Sequence, residues 1–321
     1  DWLGALMWGL VLLCILFVCV YGEHYDWYQS FQIRAATVIG ILILVLNLWR
    51  ASFIRHPFIA LKTWTYRAVW FPFILYIVID ILLAPSHLFE HLYMESILGY
   101  DTLNVISLNW AVLLGIIVGA GFTFFTFSRR KWRYKTMTVI AFSSITGYLM
   151  YFYFGIDYAL PKETLFVPLF LRSFGYVIIA ICFLTVLSRV PFQHFFQAVS
   201  VQSFVSAGFG GALGTAILGH ALNGAMKKNS MLLGSVVDHV NPFISRIPVG
   251  EVYGAVQQQA LMVSMKELYG WLTLMALFCL LAFLVYESDI RPYKVLHPTY
   301  RSIRRFVKHE LRIDKKLEAT A

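Results

Sequence analysis

Two ionisable residues occupy positions where a charge is costly. Asp80 falls inside "VWFPFILYIVIDILLAPS" and Arg172 inside "PLFLRSFGY". Asp80 lies about 11 residues into its apolar run, which as helix is about 16 Å, near the middle of a bilayer core about 30 Å thick. A carboxyl group at that depth points by default to a proton relay or an ion pathway. The plainer reading is a neutral acid bonded to a neighbouring helix, or one brought nearer the surface by tilt. Arg172 stands about seven residues into its own run, on the same side of the membrane as Asp80. It can pair with Asp80, meet a substrate group, or snorkel its head to the interface.

A second group is polar but uncharged. Gln193, Gln197 and Ser200 recur at helical spacing on one face of an apolar segment, where they can line a water-filled path. His194 beside them reads as an interfacial residue. Two small-residue stripes follow a four-residue spacing, Ala111, Gly115 and Gly119 in one segment and Ser206, Gly210 and Gly214 in another. Such stripes let helices approach closely, which serves packing and also the rocking of rigid bundles.

Other chemistry lacks its signature. No HExxH, paired CxxC, phosphate-binding loop or GxSxG element occurs in the sequence. The four cysteines Cys14, Cys19, Cys182 and Cys279 lie singly in apolar runs, as lipid-facing or core residues do. The expectation is therefore no metal, no cofactor and no enzyme.

These groups must be carried by membrane helices. The chain is 59% hydrophobic and only 13% charged, with mean hydropathy +0.69, well away from the balance of soluble domains. Eight stretches are long enough to span: Trp2–Tyr21, Phe31–Trp49, Val69–Ser86, Val105–Phe127, Thr136–Phe154, Leu165–Leu187, Phe192–Ala221 and Leu268–Tyr286. None alternates as membrane barrel strands do, so the fold class is all-α and polytopic. The segment Asn223–Glu267, with "NPF", "IPVG" and "VQQQA", reads as a long outer connection of turns and short helices.

Charge sets the orientation. Of 26 Lys and Arg residues, 19 fall in one set of connections and the tail. Arg129, Arg130, Lys131, Arg133 and Lys135 form the densest group, between spans four and five. Acidic Glu90, Glu95 and Asp101 fall on the opposite side. Positive charge marks the cytoplasmic side, so both ends of the chain are expected there, in a cell (inner) membrane. The basic group of "SRRKWRYK" then sits among lipid headgroups, with Trp132 and Tyr134 at the interface. Nucleic acid is not an expected partner, since topology already accounts for those cations.

The ordered segments resemble the 14-span drug:proton antiporters of the major facilitator superfamily. "DWLGALMWGLVLLCILFV" resembles the first of that family's two extra spans. "NLWRASFIRHPFIALKTWTYR" resembles its basic connection into the seventh standard span, and "HLFEHLYMESILGYDTLNVISLNW" its outer connection into the eighth. "VPLFLRSFGYV" resembles the Leu-Arg-Gly/Ser-x-Gly opening of the tenth, which includes Arg172, and "SVQSFVSAGFGGALGTAIL" the eleventh. Where the family keeps a Gly-x-Leu-x-Asp-Arg-x-Gly-Arg-Arg loop, "FTFSRRKWRYK" retains only basic character.

The resemblance implies two extra linker helices (1–66), the C-terminal six-helix bundle of such a transporter (67–290) and a basic cytoplasmic tail (291–321). It also implies six further spans upstream of Asp1, with substrate bound between the two halves. The expected function is proton-coupled efflux of amphipathic or cationic small molecules, with bilayer, protons, substrate and the missing half as partners. Asp80 is the proton-coupling candidate and Arg172 its charge partner or a substrate-path residue. A same-fold exporter of a defined metabolite or siderophore, and a membrane scaffold subunit that transports nothing, are the alternatives.

Overall fold

The computed structural model describes residues 1–54, 56–236 and 248–285. Apolar side chains on every face of a segment favour the helix, because a helix satisfies all its backbone groups internally in lipid. Among the described residues, eight helical stretches are long and apolar enough to cross a membrane. The protein is an all-helical, multi-pass membrane protein.

Helices α1 (Trp2–Tyr21) and α2 (Phe31–Phe53) form a hairpin. Asp1 caps α1 by accepting from the Gly4 amide at 3.0 Å, and Ser30 caps α2 through the Gln32 amide at 3.2 Å. Gly40 lets α2 come down onto Cys14 of α1. Few side chains of the pair are buried, as suits a hairpin surrounded by lipid.

Six further spans make the bundle. α3 (Arg67–Leu83) and α4 (Pro85–Leu92) run on with only Ala84 between them, and a π-turn over Tyr93–Ile97 completes a 30-residue stretch from Ala68. α5 (Thr102–Phe125), α6 (Tyr134–Gly155) and α7 (Phe166–Leu187) follow. α8 (Phe192–Ser203) passes through a π-turn at Phe204–Phe209 into α9 (Gly210–Val236), and α10 (Val249–Val285) closes the described chain. α5 packs on α7, α7 on α6, α6 on α10, α10 on α9, and α9 on α3. The first hairpin joins this bundle through α1 and α9. The core between these helices is built from Ile79, Leu82, Phe89, Phe142, Ile145, Leu149, Ile178 and Met265, all fully buried.

Three boundaries differ from the sequence reading. Span three does not stop at Ser86, because Pro85 takes the first position of α4, where its missing N–H costs nothing. Span eight starts far upstream of Leu268, and "VQQQA" (Val256–Ala260) lies within α10. The Asn223–Glu267 segment is thus largely helical extension of α9 and α10, tied by Asn229 to Ser264 at 2.9 Å and Lys228 to Glu267 at 3.5 Å. "NPF" and Ile247 of "IPVG" lie outside the described residues, as does the basic tail 291–321.

Connections group at two ends. Asp1 meets Arg50 and the Phe58 amide at one end, where the basic connections also fall. At the other, the Tyr93 hydroxyl donates to the Asp157 carbonyl, Tyr100 to Leu160, and Lys162 to Asn104.

Candidate functional site

The continuous third span carries two buried acids on one helical rod. Asp80 is on α3 and Glu90 ten residues later on α4, about 15 Å apart along the axis at 1.5 Å per residue. Their surroundings differ sharply.

Glu90 is the centre of a cluster in which both of its oxygens have partners. Its Oε2 is 2.6 Å from Arg172 Nη1 on α7, and its Oε1 accepts from the Tyr148 hydroxyl on α6 at 2.7 Å. The Arg172 guanidinium also lies over the Tyr148 ring, 6.0 Å from its centroid. Tyr269 of α10 stacks on Phe152 at 5.2 Å and meets Phe89 edge-on at 5.5 Å, walling the cluster with aromatics. One carboxylate, one guanidinium and one hydroxyl thus pin spans three, five and six. Charge-assisted bonds of this kind are the strong ones. Removing water from both ions is costly, and the bonds to both Glu90 oxygens offset that cost.

Asp80 has no such company. It is buried at 8% exposure, its Oδ2 has no hydrogen-bond partner, and no ion pair reaches it among the described residues. It faces the glycine stripe of α9. A Cβ on Gly210 would collide with the Asp80 carboxyl, and one on Gly214 would come within 2.8 Å of the Asp80 carbonyl oxygen and of Ala84 Cβ. Tyr76 on α3 and Tyr176 on α7 stand within electrostatic reach. The carboxyl is therefore held in a dry seam between two closely approached helices, with one oxygen free to accept.

Arg172 pairs with Glu90 and not with Asp80. With span three ending at Ser86, Glu90 reads as an outer-side acid; Leu88, Phe89, Leu92 and Tyr93, which continue the apolar pattern, are the signal that the helix runs on. Tyr148 carries no sequence signal beyond being a tyrosine in an apolar run.

The other candidates divide. Gln197 is taken up by the connection before α3: its Oε1 accepts from the Thr63 hydroxyl at 2.7 Å and the Ala60 amide at 3.2 Å, and its Nε2 donates to the Pro57 carbonyl. Ser200 donates to the Phe196 carbonyl of its own helix, and Gln193 is exposed. The three residues do not converge on a common cavity. Ala111 is buried, and Gly115 and Gly119 bring α5 against the backbone of α7 at Phe170 and Phe174. Ser206 lies in the π-turn before α9. Arg129 and Arg130 follow α5, each with its guanidinium over the Phe125 ring, at 5.7 and 5.6 Å, while Lys131 adopts a left-handed conformation that ends the turn. Arg133 is the extended residue immediately before α6, and Lys135 lies in the first turn of that helix.

Among the described residues no group of His, Cys, Asp and Glu is arranged to hold a metal ion. No protein-family model matches the chain, and no curated protein matches it. What the residues and their arrangement establish is a polytopic membrane protein with, among the described residues, eight apolar helical spans and two buried acids of opposite character on the third.

Proposed function

We propose that the chain is part of a proton-coupled efflux transporter that exports amphipathic or cationic small molecules. The observation that carries the reading is Asp80: a buried carboxyl with an unpartnered oxygen, set against the glycine seam of α9. A group so placed can take up a proton, and the charge it gains or loses changes the cost of that seam. Glycine faces on both sides of the bundle provide the smooth contacts on which helices shift. The Glu90–Arg172–Tyr148 cluster holds the other face of the bundle rigid, so movement is directed to the α3–α9 contact. In this reading the basic ends face the cytoplasm, the membrane is a cell membrane, and α3 to α10 form one wall of a cavity completed by a second six-span half. The resemblance of the span sequences to the drug:proton antiporters supports that arrangement. Aromatic side chains suit cationic amphiphiles through apolar and cation–π contact.

The test is ethidium extrusion by cells expressing the natural polypeptide that contains this chain. Wild type lowers ethidium accumulation and Asp80→Asn restores it to the vector level at equal membrane expression. Full activity of Asp80→Asn removes Asp80 from the mechanism. A wild type that extrudes no ethidium under a proton gradient overturns the drug-export reading.

A further inference from the structure

The turn joining α1 to α2 contains two consecutive residues, Asp26 and Trp27, in left-handed backbone conformation, with φ of 51° and 54°. Aspartate tolerates that region, whereas a bulky residue such as tryptophan rarely enters it. Such strain persists only where the surroundings over-determine it. Here they do. The Trp27 indole donates to Glu23 Oε2 at 3.0 Å, and its ring meets the His220 ring edge-on at 5.7 Å. The ring also covers Gly22, where a Cβ would come within 2.7 Å of it. Glu23 in turn stands 3.0 Å from His220 Nδ1 and accepts from Asn223 Nδ2 at 3.2 Å, both on α9. These bonds hold the Glu23 carboxyl below its ordinary titration range, the His220 contact contributing most.

We propose that Glu23, Trp27 and His220 form a proton-sensitive latch that fastens the α1–α2 hairpin to span seven at the end away from Asp1. His220 is exposed, and imidazole ordinarily titrates between pH 5 and 8. When protonated, it gives Glu23 a charge-assisted bond; when neutral, an ordinary one. His24, the other imidazole beside Glu23, meets the Tyr25 ring edge-on at 4.9 Å. Among the described residues, neither Asp26 on the turn nor His87 on α4 bonds to His220; also on α4, Glu90 is taken by Arg172, and His91 pairs with Glu95 just beyond it. On α10, Glu267 pairs with Lys228. Farther from the turn, Trp8 packs on Phe204 and Leu12 on Gly208 through apolar contacts, and at the opposite end Asp1 accepts from the Phe58 amide. The latch is independent of Asp80 and of any transported substrate, so it can fail without touching the efflux reading.

The amides of Tyr25, Trp27, Gln29 and Ser30 are hydrogen-bonded within the turn, which makes their hydrogen exchange the readout. Protection factors for residues 22–30, corrected for intrinsic rate, are measured in nanodiscs from pH 5.5 to 8.5, with α6 peptides as the fold control. Wild type loses about fivefold protection across that range, as a charge-assisted bond becomes a neutral one. His220→Gln keeps a donor that cannot charge, and its profile is flat. A flat wild-type profile overturns the proposal, as does a wild-type slope in His220→Gln. Should that variant not assemble, Glu23→Gln decides: a flat profile supports the latch and a retained slope overturns it.

Discussion

Arg172 Nη1 lies 2.6 Å from Glu90 Oε2, although 82 positions separate the two residues in the chain. Glu90 is buried and Arg172 largely so, between α4 and α7, which leaves the carboxylate in particular dependent on its protein partners. Glu90→Gln or Arg172→Met alone leaves the other charge uncompensated and costs about 3–5 kcal/mol. The double variant Glu90→Leu with Arg172→Met recovers most of that loss. Unfolding in detergent micelles measures both, and additive losses in the double variant contradict the pairing.

Tyr148→Phe removes one hydroxyl and nothing else from the same cluster. Glu90 Oε1 loses its donor at a site closed to water, for a cost of about 1–3 kcal/mol. The loss read in the same unfolding experiment should lie below that of Arg172→Met.

Gly115 and Gly121 both lie on α5, and only one touches a neighbour. A Cβ at Gly115 would stand 2.7 Å from the Phe170 carbonyl oxygen and 2.9 Å from Ser173 Cβ, whereas Gly121 has open space. Gly115→Ala forces α5 off α7 and destabilises by about 1–3 kcal/mol. Gly121→Ala is neutral or stabilising, because alanine is the better helix former. Equal behaviour of the two in thermal melts contradicts the close α5–α7 contact.

Gln197 holds the connection before α3 through Pro57, Ala60 and Thr63. Gln197→Ala frees those groups, and trypsin cleavage after the exposed Lys62 accelerates about tenfold, since one to two hydrogen bonds restrain local opening. Unchanged cleavage kinetics contradict the restraint.

Glu23 sets an acid limit on the outer turn. Its folded-state titration lies below the ordinary value of 4.5, so its contribution is complete above that value. The contribution is lost as pH falls through the depressed one. Protection of residues 22–30 therefore drops below about pH 4.5, and Glu23→Gln abolishes that acid limb. An acid limb that survives in Glu23→Gln assigns it to another group.

The spans were legible because lipid imposes a length and an apolar face on every helix. α1, α2, α5, α6 and α7 appear within a few residues of where hydropathy puts them. Glu90 was not legible, because Pro85 signals a stop in sequence and a first helical position in space. The pairing of Glu90 with Arg172 and Tyr148 depends on which faces three distant helices turn to one another, which no local pattern carries. Gln197 shows the converse: a polar face at helical spacing suggested a water path, and its amide is consumed by a connection. The polar half of α10 was hidden because Val249–Glu267 lacks the hydropathy of a span and is helical through its packing on α9.

The π-turn at Phe204–Phe209 ends one residue before Gly210, the glycine that faces Asp80. A π-turn is one residue inserted into the α-helical repeat. Each residue that such a turn passes as it moves along a helix rotates by about 100°. The π-turn therefore sets the rotational phase with which α9 meets α3, and that phase puts Gly210, the one residue type without a Cβ, against the Asp80 carboxyl.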